Sequence, residues 1–91
     1  MNDKLFKIPV IINLGSDTDR EVGSVREALD ILGSEWPADR HDGAYDEAVN
    51  SCSMALNGNL PVDKARDAFS AAAWEAEIFV SDLPRLNAKA A

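Results

Sequence analysis

The sequence predicts an α+β fold in which an N-terminal two-stranded β-hairpin packs against three α-helices, in the order ββααα. Apolar residues alternate at every second position from Phe6 to Leu14, which is the period of a strand with one buried face. Residues 45–80 carry two apolar stripes at helical spacing, separated by a turn at residues 57–61. With 91 residues, of which 46% are hydrophobic, the chain is expected to form one domain with one core.

The hairpin is predicted from the residues around the first strand. Pro9 has no N–H to donate, so this strand is expected at an edge of the sheet or at a strand start. The segment 15–19 is rich in turn-forming residues, and residues 20–22 follow it as a short second strand. Because a lone hairpin is marginally stable in water, the helices are expected to cover its apolar face.

The first helix is predicted to begin at Ser24. Glu27 follows three residues later, which is the spacing of a capping box. Pro37 is expected to stop the helix, and an earlier end at Gly33 is the alternative. Its predicted buried stripe consists of Val25, Ala28, Leu29, Leu32 and Trp36.

The second helix is expected to start after Asp42 as N-cap and to end at Gly58 as C-terminal cap. The third helix starts near Pro61, and its stripe is mostly alanine. That stripe is predicted to run as far as Phe79 and consists of Val62, Ala65, Phe69, Ala72, Ala76 and Phe79. The ordered core is therefore expected over residues 5–80 of a single domain spanning 1–91, with an irregular tail over 81–91.

Composition excludes several function classes. The formal net charge is −7, and an acidic chain with no basic patch argues against nucleic-acid binding, which depends on phosphate neutralisation. No segment reaches the roughly 18 apolar residues of a membrane span, so no membrane partner is expected. The single cysteine, Cys52, cannot form an internal disulfide and fits a reducing cytoplasm.

Candidate chemistry is sparse, and no catalytic, cofactor-binding or metal-ligating residue is assigned. His41 and Cys52 could form a nucleophile–base pair, but Cys52 lies on the apolar stripe. Asp39, His41, Asp42 and Asp46 could hold a divalent ion, although their spacing matches no established ligand pattern. A ligand- or metal-binding protein, or an enzyme, that uses this acidic loop around His41 stays open as the alternative.

The leading hypothesis is a small non-enzymatic interaction domain that forms a homodimer. Trp74 falls away from the alanine stripe and shares its helix face with charged residues, and Met54 lies opposite Tyr45 on the preceding helix. A tryptophan in that setting is either a half-covered surface residue or an interface anchor. Trp74 and Met54 are therefore the candidate interface residues.

A set of positions along the chain is informative through its order and spacing. These positions are Pro9-Val10, Ala28, Leu32, Trp36-Pro37, Tyr45, Ala48, Cys52, Ala55-Leu56, Gly58, Ala65-Arg66, Ala68-Phe69, Ala72-Ala73 and Glu75-Ala76. Together they resemble a family of short bacterial proteins, domain of unknown function 982, with members mostly from alphaproteobacteria. The resemblance covers residues 5–80. The family has no assigned activity, cofactor or catalytic residue, so the resemblance implies only a shared framework.

Overall fold

The computed structural model describes residues 4–15, 17–37, 39 and 42–81. It confirms the α+β class, but the sheet has three strands where the sequence predicted a two-stranded hairpin. The predicted tail lies outside the described residues from position 82 onward, whereas Ser81 belongs to a strand. In chain order the elements are β1 (Leu5–Ile12), β2 (Arg20–Ser24), α1 (Val25–Ser34), α2 (Gly43–Leu56), α3 (Val62–Glu75) and β3 (Phe79–Ser81).

The sheet is antiparallel in the order β2-β1-β3, so β1 is its central strand. The prediction of an edge position from Pro9 was therefore wrong. The pairing of β1 with β2 is irregular between Leu5 and Val10, and β3 pairs with β1 at Ile11 and Ile12. Pro9 lies inside that irregularity, where a missing N–H does not interrupt a regular ladder.

One core joins the sheet to the three helices. Val10 and Ile12 of β1 are fully buried in it. Trp36 is also buried, and its ring lies 5.7 Å from Phe69 and 6.1 Å from Tyr45 between centroids. The predicted burial of Trp36 is confirmed, but α1 ends at Ser34, so Trp36 enters the core from the loop after the helix.

Two predicted N-terminal caps are present, those of α1 and α2. The Ser24 hydroxyl accepts a hydrogen bond from the Glu27 N–H at 3.1 Å, and the Glu27 carboxylate accepts one from the Gly23 N–H at 3.1 Å. Asp42 accepts a hydrogen bond from the Tyr45 N–H at 3.2 Å at the start of α2. The capping box differs from the predicted one only in the partner of Glu27, which is the residue before the N-cap.

The end of α3 differs from the prediction. The helical stripe was expected to reach Phe79, but α3 ends at Glu75 and residues 79–81 form β3. Ala76 ends the helix as its C-cap, and Ile78 is buried beyond it. The chain thus reverses after α3 and adds a strand beside β1, which places Phe79 on the sheet.

Candidate interaction surface

Trp74 is the most exposed aromatic side chain in the described part of the chain, with 66% of its surface accessible. It lies one residue before the end of α3. Its ring stacks on Phe79 of β3, with centroids 5.1 Å apart and planes inclined by 18°. Stacking on one side holds the indole in place, so an exposed apolar plate is presented to solvent in a fixed orientation.

A specific turn brings Phe79 back beneath Trp74. The Ile78 N–H donates to the Ala73 carbonyl at 3.0 Å, and the Glu77 N–H donates to the Trp74 carbonyl at 3.0 Å. These two bonds are those of a Schellman motif, whose C′ residue adopts a left-handed conformation. Glu77 holds that position, with φ of 63°. The motif stops α3 and directs the chain into β3.

We call strand Phe79–Ser81, together with Trp74 stacked on it, the β3 edge. Phe79 is half-buried and packs against the core, whereas Val80 is 45% exposed. Successive residues of a strand point to opposite faces of a sheet. Trp74 and Val80 therefore flank the strand from its two sides, and an approaching chain would meet apolar surface on both.

The structure places Met54, the other candidate interface residue, at the opposite end of the helical hairpin. Met54 is 39% exposed, and its carbonyl accepts a hydrogen bond from the Asn59 N–H at 2.7 Å, in the turn between α2 and α3. Trp74 lies near the far end of α3, which is about 20 Å long at 1.5 Å per residue. The two side chains are therefore not brought together.

Cys52 lies in the core. It is fully buried, and its sulfur is 3.9 Å from the Ala65 carbonyl oxygen. Burial raises the pKa of the Cys52 thiol to about 12, from an ordinary value of 9.0. The thiol is therefore protonated at neutral pH and is not an activated nucleophile. His41, the other member of the suggested pair, lies outside the described residues.

The acidic loop is described only in part. Asp39, Asp42 and Asp46 are exposed, whereas positions 38, 40 and 41 lie outside the described residues. Asp42 caps α2 through its side chain, which accounts for its place at the helix start. Among residues 4–15, 17–37, 39 and 42–81, no group of three or more metal-ligating side chains comes together.

A groove of about 570 Å³ runs along the outside of α2 and α3, and we call it the α2–α3 groove. Small side chains make up much of its lining, including Ala44, Ser51 and Ala71. Leu60, in the turn between the helices, also lines it. Three charged side chains complete the lining, with Glu47 on α2 and both Lys64 and Asp67 on α3.

The negative charge of the chain is concentrated on this helical hairpin. Seven acidic and two basic residues within positions 42–77 leave a net charge of −5, out of −7 for the whole chain. One of the two basic residues, Arg66, is turned toward the sheet, where its Nε donates to the Ile8 carbonyl oxygen. All seven acidic side chains are exposed: Asp42, Asp46, Glu47, Asp63, Asp67, Glu75 and Glu77.

Sequence reasoning missed Phe79 as the partner of Trp74. Phe79 was predicted to belong to the helical stripe because it lies three residues after Ala76 and so continues the alternating steps of three and four residues. The run Ile78-Phe79-Val80 nevertheless has the β-branched and aromatic composition of a strand, and it follows the alanine-rich segment 65–76. That change of composition is the signal that could have separated β3 from α3.

Comparisons with known proteins agree with this fold. The family model described as protein of unknown function (DUF982) matches residues 8–80. A similar solved structure is the NMR structure of the Agrobacterium tumefaciens protein Atu1219, at a TM-score of 0.74 and 37% identity; the match covers 92% of this chain and 83% of that one. Nothing among curated proteins matches this sequence. No described helix is long and apolar enough to cross a membrane.

Proposed function

This chain belongs to the DUF982 family, and we propose that it is a small non-enzymatic interaction domain of the cytoplasm that forms a homodimer through its β3 edge. One observation carries the proposal: Trp74 is 66% exposed and is held in place by its stacking on Phe79. Tryptophan is enriched among the residues that dominate binding energy at protein interfaces. A fixed orientation also lowers the side-chain entropy that binding would cost.

The gain available from covering Trp74 is large for one side chain. An aromatic side chain of this size buries about 150–250 Å², so covering two thirds of it would contribute about 2.5–4 kcal/mol at roughly 25 cal/mol per Å². A stable specific interface buries about 800 Å² on each partner. Trp74 and Val80 supply only part of that area, so we expect a weak dimer, with a Kd in the micromolar range.

A two-fold arrangement suits the β3 edge. In the described part of the chain, β3 pairs with β1 alone. Two copies related by a two-fold axis could pair their β3 strands in antiparallel fashion, which would continue the sheet from one protomer into the next. Trp74 and Val80 would then each face the equivalent region of the partner, on opposite faces of the joined sheet.

The remaining polar groups also support an interaction role over a catalytic one. Cys52 is buried and protonated, and Asp42 serves as a helix cap. Enzymes usually place titratable groups with shifted pKa values in a cleft. In the described residues, the one shifted thiol is enclosed by the core and does not reach a surface cleft.

The test is sedimentation velocity on the full chain, from micromolar to millimolar concentration. We expect the wild type to dimerise and Trp74→Asp to remain monomeric. Leu5→Asp is the matched control, because Leu5 is 74% exposed at the start of β1, away from β3; it should dimerise like the wild type. A monomeric wild type, or an unaffected Trp74→Asp, would contradict the proposal.

Met54→Asp defines how far the interface extends. The β3 edge alone does not reach Met54, so this variant should dimerise normally if the contact is confined to β3. Loss of the dimer in both Met54→Asp and Trp74→Asp would extend the interface from the β3 edge to Met54 at the end of α2. Circular dichroism on each variant separates loss of dimerisation from loss of folding.

A further inference from the structure

The α2–α3 groove has the length of two helical turns. Its lining on α3 runs from Lys64 to Ala71, which is about 10 Å at 1.5 Å per residue. That distance equals the separation of positions i and i+7 on a second helix, the spacing at which an amphipathic helix places its anchoring side chains in a groove. The small side chains in the lining leave room for larger ones from a partner, because each alanine projects a single methyl group.

The charge of the residues around the groove indicates the charge of the partner that it can bind. The helical hairpin that forms it carries a net charge of −5, and its seven acidic side chains are all exposed. Of the three charged side chains that line the groove itself, Glu47 and Asp67 are acidic and Lys64 is basic. A helix that presents apolar residues to the small side chains of the lining, and lysines or arginines to Glu47 and Asp67, would match the excess of negative charge on this surface.

We propose that the α2–α3 groove binds a basic amphipathic helix of a partner protein. The groove and the β3 edge have different residues: the groove lining does not include Trp74, Phe79 or Val80, although Trp74 lies one helical turn beyond Ala71 on α3. Binding there would leave β3 available for the dimer contact proposed above. The domain would then hold a second protein while it is itself a dimer.

A second copy of this chain is a poorer occupant of the groove. A two-fold contact across this face would bring together two surfaces that each carry an excess of acidic side chains, and an excess of like charge in close contact costs free energy. Lys64 is the one exposed basic residue of the hairpin and cannot balance seven acidic ones. The charge distribution therefore favours a basic partner over self-association at this face.

The binding test uses a synthetic amphipathic helix with leucines on one face and lysines on the other, labelled for fluorescence anisotropy. Two control peptides accompany it. One has every lysine replaced by glutamate, and the other has the same composition scrambled so that no apolar face forms. We expect saturable binding of the first peptide alone, weakening as salt is raised. Equal binding of the scrambled peptide would show general charge attraction and overturn the proposal.

Variants of the groove locate the bound peptide. Ala71→Phe places a large side chain in the groove lining and should weaken binding at least about tenfold, a loss of 1.4 kcal/mol. Glu47→Lys should weaken it and reduce its salt dependence. Asp30→Lys, an equal change of charge on exposed α1 surface, is the control and should bind as the wild type does. Unchanged binding by Ala71→Phe would overturn the proposal.

The same assay distinguishes the two proposals. Trp74→Asp should still bind the peptide, because its substitution affects the β3 edge and leaves the groove lining intact. If the wild type binds the peptide but does not dimerise at any concentration, the homodimer proposal is contradicted and the groove proposal is supported. Conversely, displacement of the dimer by the peptide would mean that a second copy occupies the groove, which would overturn the assignment of a basic helix to it.

Discussion

Arg66 on α3 donates a hydrogen bond of 2.6 Å from Nε to the backbone carbonyl oxygen of Ile8 on β1. The two residues are 58 positions apart in sequence. Ile8 lies within the irregular part of β1, next to Pro9. Irregular strand pairing leaves backbone groups in need of other partners. The Arg66 guanidinium supplies a partner for the Ile8 carbonyl, and this hydrogen bond connects α3 to the central strand β1.

Arg66→Met should lower the free energy of unfolding by about 1–3 kcal/mol, because a hydrogen bond to a charged group is lost and a partly buried carbonyl loses its partner. Methionine retains much of the aliphatic packing of the arginine stem. Arg26→Met, an equal change at an exposed position of α1, should shift stability by no more than about 0.5 kcal/mol. Urea unfolding followed by circular dichroism measures both. Equal effects of the two substitutions would contradict the role given to Arg66.

The raised pKa of the Cys52 thiol predicts that the folded protein loses stability at high pH. Its pKa is raised to about 12 in the folded protein from an ordinary value of 9.0, so folding favours the protonated thiol. Its contribution is complete below pH 9 and is lost as pH rises toward 12, at up to about 1.4 kcal/mol per pH unit. Between pH 9 and pH 10 the free energy of unfolding should fall by about 1 kcal/mol from this group.

Cys52→Ala is the control for that prediction. The variant is less stable at neutral pH because it leaves a small cavity, but its stability should lack the part of the alkaline decline that comes from the thiol. Free energies of unfolding are measured for both proteins from pH 8 to 11. The difference between the two curves gives the contribution of Cys52 alone, because all other groups are common to both proteins. Parallel curves would show that burial does not raise the thiol pKa as stated.

Local sequence signals predicted the features that depend on neighbouring residues. The alternation of β1, the capping pair Ser24 and Glu27, and Asp42 as N-cap each involve positions within a few residues of one another. Each of these features depends only on residues that are close together in sequence, so the pattern and the structure agree. The α+β class follows from these elements together.

The features that sequence analysis missed depend on contacts between distant segments. The central position of β1 requires β3, whose residues are more than 60 positions later. The stacking of Trp74 on Phe79 requires the chain to reverse after Glu75. A pattern based on helical period could not show this, because Phe79 continues that period from Ala76 although the helix has already ended.

Two helices of this protein end in the same motif with different residues at its critical position. At the end of α2, the Asn59 N–H donates to the Met54 carbonyl and the Gly58 N–H donates to the Ala55 carbonyl. Gly58 has φ of 83°, and Glu77 at the end of α3 has φ of 63°. Glycine adopts this left-handed region freely, whereas a side chain with a Cβ is strained there. Gly58 therefore indicates a helix end in the sequence, whereas Glu77 does not.

Glu77→Gly should therefore stabilise the protein, by about 0.5–1 kcal/mol, because it removes the strain of a left-handed glutamate. The reverse change at the equivalent position, Gly58→Glu, should destabilise it by about 1 kcal/mol. Glu75→Gly is the control: it places glycine in the last turn of α3, where helical φ is required, and should cost up to about 1 kcal/mol. Thermal and urea unfolding of the three variants would measure these shifts. If Glu77→Gly instead lowered stability, the contacts of the Glu77 side chain would have to outweigh the backbone strain, and the start of β3 would depend on that side chain as well as on the turn.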